Sequence, residues 1–195
     1  MKAVVRRISE MELSHRRRLG LDRLDEMWEG VLHMAPAPST KHQAKVTWLC
    51  ALLNSYVTRH KLGRLFVQSN VREPATGERD YRVPDLCFVA GGREGMIGEV
   101  FIEGGPDLVV EVLSPDDETY EKMPFYARIG VPWLVVVGTE DERVEVFRLV
   151  GERYVEQTAD DEGWIRCAAP KVSWAASGAL SVRLDIEDRV ERFPE

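Results

Sequence analysis

One carboxylate stands where a carboxylate is costly. The run LVVEVL at residues 108–113 reads as a covered strand, because its apolar residues fall on both faces, yet Glu111 sits inside it. An ionised carboxylate there requires a cation, hydrogen bonds or a metal. A second acid, Asp85, follows Pro84 in the apolar run VPDLCFV, in a strand interior where Asp is disfavoured. Lys122 lies on the helix expected after Glu111. Two strand acids with a lysine suit phosphodiester hydrolysis. Carboxylates hold a hard cation such as Mg²⁺ through oxygens at about 2.0–2.1 Å. The cation polarises the phosphate and helps to make hydroxide, and the lysine orients the water or neutralises developing charge. The residue types alone leave a structural alternative open, in which Glu111 pairs with an arginine or faces solvent at a sheet edge. Asp107, four residues before Glu111, reads as a strand-entry residue.

Apolar spacing predicts the elements that must bring these residues together. Between residues 42 and 59, Val46, Leu49, Cys50, Leu53 and Val57 recur every three or four positions. With Ser39 or Thr40 at the start and Gly63 beyond the end, this is a long helix. RLFVQSNVRE and YRVPDLCFVA, separated by the turn chemistry of PATGERD, predict a hairpin-like pair over 64–90. The strand at 108–113, a helix from near Glu118 to Ile129 closed by Gly130, and the buried strand VPWLVVVG make a crossover unit. Pro124, two residues after Lys122, shifts the expected helix start towards residues 120–123. RVEVFRLVGERYVEQT alternates around Gly151 and predicts a hairpin, and residues 180–184 a further strand. Residues 4 to about 27 read as helical or partly ordered with Ser9 as a cap, and Gly30 turns the chain into a strand over 31–34. The pattern is an α/β (α+β) domain, a mixed sheet flanked by a long helix and a crossover helix. It occupies residues 22–195 after a basic helix or arm at 1–21.

Composition narrows the function classes. Of 195 residues, 44% are hydrophobic and 30% charged, as in ordinary globular proteins. The start has no long apolar run and no stretch approaches the roughly 20 apolar residues that cross a bilayer, so a cytoplasmic protein without membrane contact is expected. Cys50, Cys87 and Cys167 form no CxxC pair and read as small core thiols in a reducing compartment. A net charge of −7 argues against generic nucleic-acid binding. The charge is uneven, however: residues 1–23 hold seven basic and three acidic side chains, a net of +4, which leaves −11 for the rest. That segment could meet a phosphate backbone or form a solvated helix. GGREGMIG lacks the Lys-Ser/Thr pair of a phosphate-binding loop, and its Arg93 is a candidate substrate contact. His15, His33 and His60 have no ligand-like spacing. Trp48, Trp133 and Trp164 read as core.

VPDLCFV, GPDLVVEVLSP and EKMPFYARIGVPWLVVV, with WEGVLHMAPAPSTKHQ upstream, resemble the Uma2 family (DUF820), described as a domain of unknown function or a "putative restriction endonuclease" and placed in the PD-(D/E)XK nuclease-like superfamily. The resemblance spans about residues 22 to 185 and implies a restriction-endonuclease-like fold. It implies that Asp85 and Glu111 are the metal-binding acids, that the Val112 carbonyl is a main-chain ligand, and that Mg²⁺ or Mn²⁺ is the cofactor. The superfamily lysine would fall two residues after the second acid, where this chain has Leu113. In this family it has moved to the next helix, and Lys122 matches it, with Tyr126 four residues on. Glu118, His42 and Glu29 stand at secondary family positions. The implied activity is hydrolysis of DNA phosphodiester bonds by a homodimer, two sites cutting two strands. The alternative is a non-catalytic nucleic-acid- or protein-binding module on the same fold, which the acidic charge, the displaced lysine and Pro124 favour.

Overall fold

The computed structural model describes residues 3–5, 8–20, 22–34, 37–114, 118–140 and 143–194. Residues 115–117 of the LSPDD segment, residues 35–36 of the Pro-rich loop and the basic residues Lys2, Arg6 and Arg7 lie outside these. The chain begins with β1 (Ala3–Val5), α1 (Glu10–Leu19), β2 (Glu26–Trp28), β3 (Val31–Met34) and α2 (Thr40–Arg59). It continues through β4 (Gly63–Val67), β5 (Asn70–Arg72), β6 (Tyr81–Arg82), β7 (Leu86–Ala90), β8 (Phe101–Glu103), β9 (Leu108–Val112), α3 (Thr119–Arg128) and β10 (Trp133–Val137). It ends with β11 (Val144–Val150), β12 (Arg153–Glu156), β13 (Trp164–Cys167), β14 (Val172–Ala175), β15 (Ser181–Leu184) and β16 (Arg189–Arg192).

Three sheets result. The central one runs β12-β11-β10-β9-β7-β4, the second β1-β3-β2-β6-β5-β8, and the third is the meander β13-β14-β15-β16. β9 and β10 are parallel with α3 as their crossover, and β4 and β7 form the outer antiparallel pair, as the hydrophobic runs predict. The expected class, α+β with mixed sheets and helices, is the observed one. Every residue of β9 is buried, and strand alternation sorts its side chains. Leu108, Val110 and Val112 face Val46, Leu49, Leu53 and Val57 of α2, with the third sheet behind. Val109 faces the other way, onto Phe125 and Tyr126 of α3 with Cys87, Val89, Leu134 and Val136. Glu111 shares the parity of Val109 and therefore belongs to the α3 side.

Each helix has a readable cause. The Ser39 hydroxyl accepts from the His42 amide at 3.2 Å and opens α2. Ser9 and Glu12 form a reciprocal capping box that opens α1. The helix expected to run to about residue 27 ends at Leu19, because Gly20 adopts the left-handed conformation at φ 63° and turns the chain. Residues 26–28 are then the strand β2. α3 begins at Thr119 rather than at 120–123 and contains Pro124. The missing amide at position 124 costs one intrahelical bond without stopping the helix, which is held by Phe125 and Tyr126 in the core. At Gly105 a Cβ would meet Ile129 O at 2.6 Å and Val131 N at 2.7 Å. Only glycine lets the end of α3 close on the entry to β9, and that contact sets how α3 lies along the strand.

The third sheet exceeds expectation, since residues 180–184 alone read as a strand there. Among the described residues, Cys50, Cys87 and Cys167 are free thiols. Trp48, Trp133 and Trp164 are half-buried, and the fully buried tryptophan is Trp174. Among the described residues, no helix is long and apolar enough to cross a membrane.

Candidate active site

β7 and β9 are antiparallel, with Leu86 opposite Val110. One step further along, Asp85 and Glu111 meet across the end of the ladder. Directly opposed residues project to the same face, so the two acids are neighbours. Beyond Leu86 there is no further strand pairing, and the Val112 amide instead donates to Asp85 Oδ2 at 2.8 Å. In an extended strand the amide and carbonyl of one residue project to the same edge, so the Val112 carbonyl lies on the Asp85 side. The same Asp85 oxygen lies 3.1 Å from His42 Nε2. The α2 cap thus brings His42 to the first acid.

Glu111 is 3% exposed. Its Oε1 accepts from the Tyr126 hydroxyl at 2.6 Å and from Lys122 Nζ at 3.2 Å. Lys122 and Tyr126 are four residues apart on α3, so one helix face presents both to the strand. Burial pushes the Glu111 carboxyl up to about 7; Lys122 opposes this, and the charges of Asp85 and Glu26 add to it. Burial first, then the Glu111 charge, pushes the Tyr126 phenol well above its ordinary range, so it stays a hydrogen-bond donor. Burial also raises the Cys87 thiol, with a contribution from Glu111.

A third acid joins the cluster, and it is Glu26 rather than Glu29. Glu29 sits on the turn after β2, with its side chain 79% exposed and its nearest cation the Arg128 guanidinium at 3.8 Å. The structure does not bring it to Asp85 or Glu111. Glu26, three residues earlier, is buried, and its Oε1 lies 3.0 Å from Lys122 Nζ. Glu118 is at the start of α3, where Oε2 lies 3.1 Å from His33 Nδ1. His33 stacks on Trp28, ring centroids 4.1 Å apart, so a histidine without ligand-like spacing links Glu118 to the tryptophan that bonds Glu26. Arg93 is tied to the entry of β9, to Asp107 Oδ1 at 2.7 Å and the Gly105 carbonyl at 3.0 Å. Asp107 Oδ2 in turn accepts from the Ala90 amide at 2.8 Å, a strand-entry role as read from the sequence.

The donor set fits a hard divalent cation. Asp85 uses Oδ2 and Glu111 uses Oε1 for all their hydrogen bonds. Asp85 Oδ1 and Glu111 Oε2 carry no partner among the described residues. Asp85, Glu111 and Glu26 outnumber the one lysine, which pairs with the latter two, and a cation offsets the excess of negative charge. Among the described residues no group of three or more His, Cys, Asp or Glu side chains is arranged as a metal cage. A cation here would rest on two acids and a main-chain carbonyl, with water completing its shell, which is how Mg²⁺ is commonly held.

Comparison with known proteins gives a family and a likeness of fold. The family model for Uma2, described as "Putative restriction endonuclease", matches residues 20–181. Among solved structures, the chain is similar to a protein from Anabaena variabilis ATCC 29413 described as a "putative nuclease belonging to DUF820". The two share 21% identity and a TM-score of 0.60 over 77% of this chain and 84% of that one, a likeness of fold. No curated protein matches the chain.

Proposed function

We propose, from the premise that this chain belongs to the Uma2 family, that it is a metal-dependent endonuclease hydrolysing DNA phosphodiester bonds. The observation that carries the reading is the pairing of Asp85 with Glu111, each with one carboxylate oxygen unengaged, beside Lys122 on Glu111. Asp85, Glu111 and the Val112 carbonyl would hold Mg²⁺ or Mn²⁺. When bound, such a cation polarises the phosphoryl oxygen and lowers the pKa of a coordinated water. The Tyr126 hydroxyl fixes the Glu111 carboxylate by its 2.6 Å bond, and His42 and the Val112 amide fix that of Asp85. Lys122 stands beside Glu111, where its amine orients the attacking water or offsets charge developing on the phosphate. Water adds to phosphorus and releases a proton to solvent, the P–O bond to the leaving sugar oxygen breaks, that oxygen takes up a proton from solvent, and no covalent enzyme intermediate forms. We further propose a homodimer, since cutting both strands of a duplex takes two such sites.

The test is supercoiled plasmid incubated with Mn²⁺ or Mg²⁺, beside an Asp85→Ala protein prepared identically. Relaxation and linearisation by the native chain, absent in Asp85→Ala, supports the reading. Equal cutting by both refutes the site. No cutting by either, across metals and substrates, transfers the function to nucleic-acid or protein binding without catalysis.

A further inference from the structure

Lys122 reaches the acids from a helix rather than from the strand that carries Glu111, so the strand does not fix its position. Its side chain has four rotatable bonds to a compact amine. Two carboxylates grip that amine from different layers of the molecule. Glu111, at 3.2 Å, comes from β9 of the central sheet, and Glu26, at 3.0 Å, from β2 of the second sheet. Glu26 is itself held rigidly. Its Oε1 accepts from the Val83 amide at 2.9 Å and its Oε2 from the Trp28 indole at 2.7 Å. Trp28 is fixed by stacking on His33 and by the Arg82 guanidinium, which lies 4.4 Å from the Trp28 ring and 4.2 Å from the Phe125 ring of α3. Both donors to Glu26 are neutral, and Lys122 is its cationic partner among the described residues. Met27, the next residue, points into the core, and Asp25 is engaged by Arg16. Among the described residues Glu26 therefore has one cationic contact, and that contact is the candidate catalytic lysine. A buried ion pair is weak evidence of a stabilising role, since apolar replacements often serve stability as well. What this one does supply is direction.

We propose that Glu26 is a positioning residue for DNA cleavage: it holds the Lys122 amine beside Glu111, aimed at the reacting phosphate, so that a lysine carried on a helix acts as one carried on the strand would. The proposal rests on the nuclease reading above. It assigns Glu26 no contact with substrate or metal.

The experiment compares Glu26→Gln, Glu26→Asp, Lys122→Met and the double variant Glu26→Gln/Lys122→Met, with the exposed Glu29→Gln as control. Single-turnover plasmid cleavage is measured at saturating Mn²⁺, and the rate of Lys122 acylation by a water-soluble N-hydroxysuccinimide ester is measured by peptide mass spectrometry on metal-free protein. Glu26→Gln is expected to lower the cleavage rate by about 10²-fold with the half-saturating DNA concentration unchanged. It should also speed Lys122 acylation roughly tenfold, the scale of one charge-assisted hydrogen bond. The double variant should cut no more slowly than Lys122→Met, Glu26→Asp should recover part of the rate, and Glu29→Gln should match the native chain. Losses that multiply in the double variant, acylation no faster in Glu26→Gln, or native cleavage by Glu26→Gln would each overturn the proposal. If Glu26→Gln does not fold, Glu26→Asp carries both measurements. A native chain that never cuts overturns the catalytic role, and the acylation result then locates the error: faster labelling in Glu26→Gln places it in the nuclease reading, unchanged labelling in the clamp as well.

Discussion

Replacing Glu111 by glutamine should stabilise the metal-free protein at pH 8 and abolish its response to metal. Glu111 is buried, and burial lifts its carboxyl from the ordinary value of 4.5 to about 7. Below pH 4.5 both folded and unfolded chains carry the proton, and nothing is lost. Between 4.5 and 7 the folded chain keeps a proton that the unfolded chain has released, so stability falls as pH rises through this window. Above 7 the full difference is in place. A shift of this size, at about 1.4 kcal/mol per pH unit, amounts to a loss on the order of 3 kcal/mol. Glutamine mimics the protonated form, keeps an acceptor for the Tyr126 hydroxyl and does not titrate. In EDTA its melting temperature should equal that of the native chain near pH 4.5 and exceed it by about 6–12 °C at pH 8, taking roughly 2–4 °C per kcal/mol for a chain of this size. Metal reverses the order. A cation at 100 times its Kd stabilises the native chain by about 2.7 kcal/mol, whereas Glu111→Gln should gain little. Thermal scans from pH 4.5 to 8, with and without Mn²⁺, decide it. A native-minus-variant difference that does not change with pH would refute the claim that Glu111 is buried without sufficient compensation. An equal metal response in both proteins would refute its place as a ligand.

Other consequences are separable. Lys122→Met should keep the metal-induced rise in melting temperature while cutting plasmid at about 10²-fold lower rate, because the lysine is assigned to the phosphate and water rather than to the cation. Tyr126→Phe should lower stability at pH 8 by about 1–3 kcal/mol in urea unfolding, since a buried carboxylate oxygen loses its shorter hydrogen bond. Pro124→Ala should raise stability by about 2 kcal/mol, the cost of proline inside a helix less the entropy it removes from the unfolded chain. Chemical denaturation checks it, and an unchanged midpoint would mean that α3 does not strain around Pro124.

The acids were legible in the sequence because a charge inside an apolar strand run is conspicuous: Asp85 and Glu111 interrupt patterns that otherwise read as buried. Their convergence was not legible. It depends on β7 and β9 being antiparallel with Leu86 opposite Val110, a register set by two hydrophobic faces far apart in sequence. Glu26 was hidden for a different reason. β2 is three residues long in a polar stretch, too short for alternation to declare a face, and Glu29 beside Gly30 was the more prominent acid. One signal was available: in DEMWEG, an acid two residues before a tryptophan matches a strand with Glu26 and Trp28 on one side, which is how the Trp28 indole comes to bond Glu26. The start of α3 near Glu118 is legible, and the later start that Pro124 favours gives way to the tertiary packing of Phe125 and Tyr126. The third sheet was mostly unreadable, since its strands have four residues each and mix charge with apolar positions.

On the proposed reading, a lysine carried on α3 rather than on the strand accounts for why the second sheet joins the site. At the strand position two residues beyond Glu111 stands Leu113, whose amide donates to the Val137 carbonyl and whose own carbonyl accepts from the Thr139 hydroxyl. Its backbone is locked into the central sheet, and an amine there would need no further support. Moving the amine onto α3 gives up that lock and places it at the end of a long flexible stem, beside a carboxylate that burial has already weakened as an anion near pH 7. A single partner of that kind holds a lysine poorly. A second carboxylate from another layer restores both the charge and the direction. The β2–β3 hairpin supplies it, braced by Trp28, His33 and Glu118 against the start of the same helix. On this argument the hairpin and the helix-borne lysine are one device, and disrupting the hairpin at Trp28 should loosen Lys122 as removing Glu26 does, while leaving Asp85 and its bond to the Val112 amide intact.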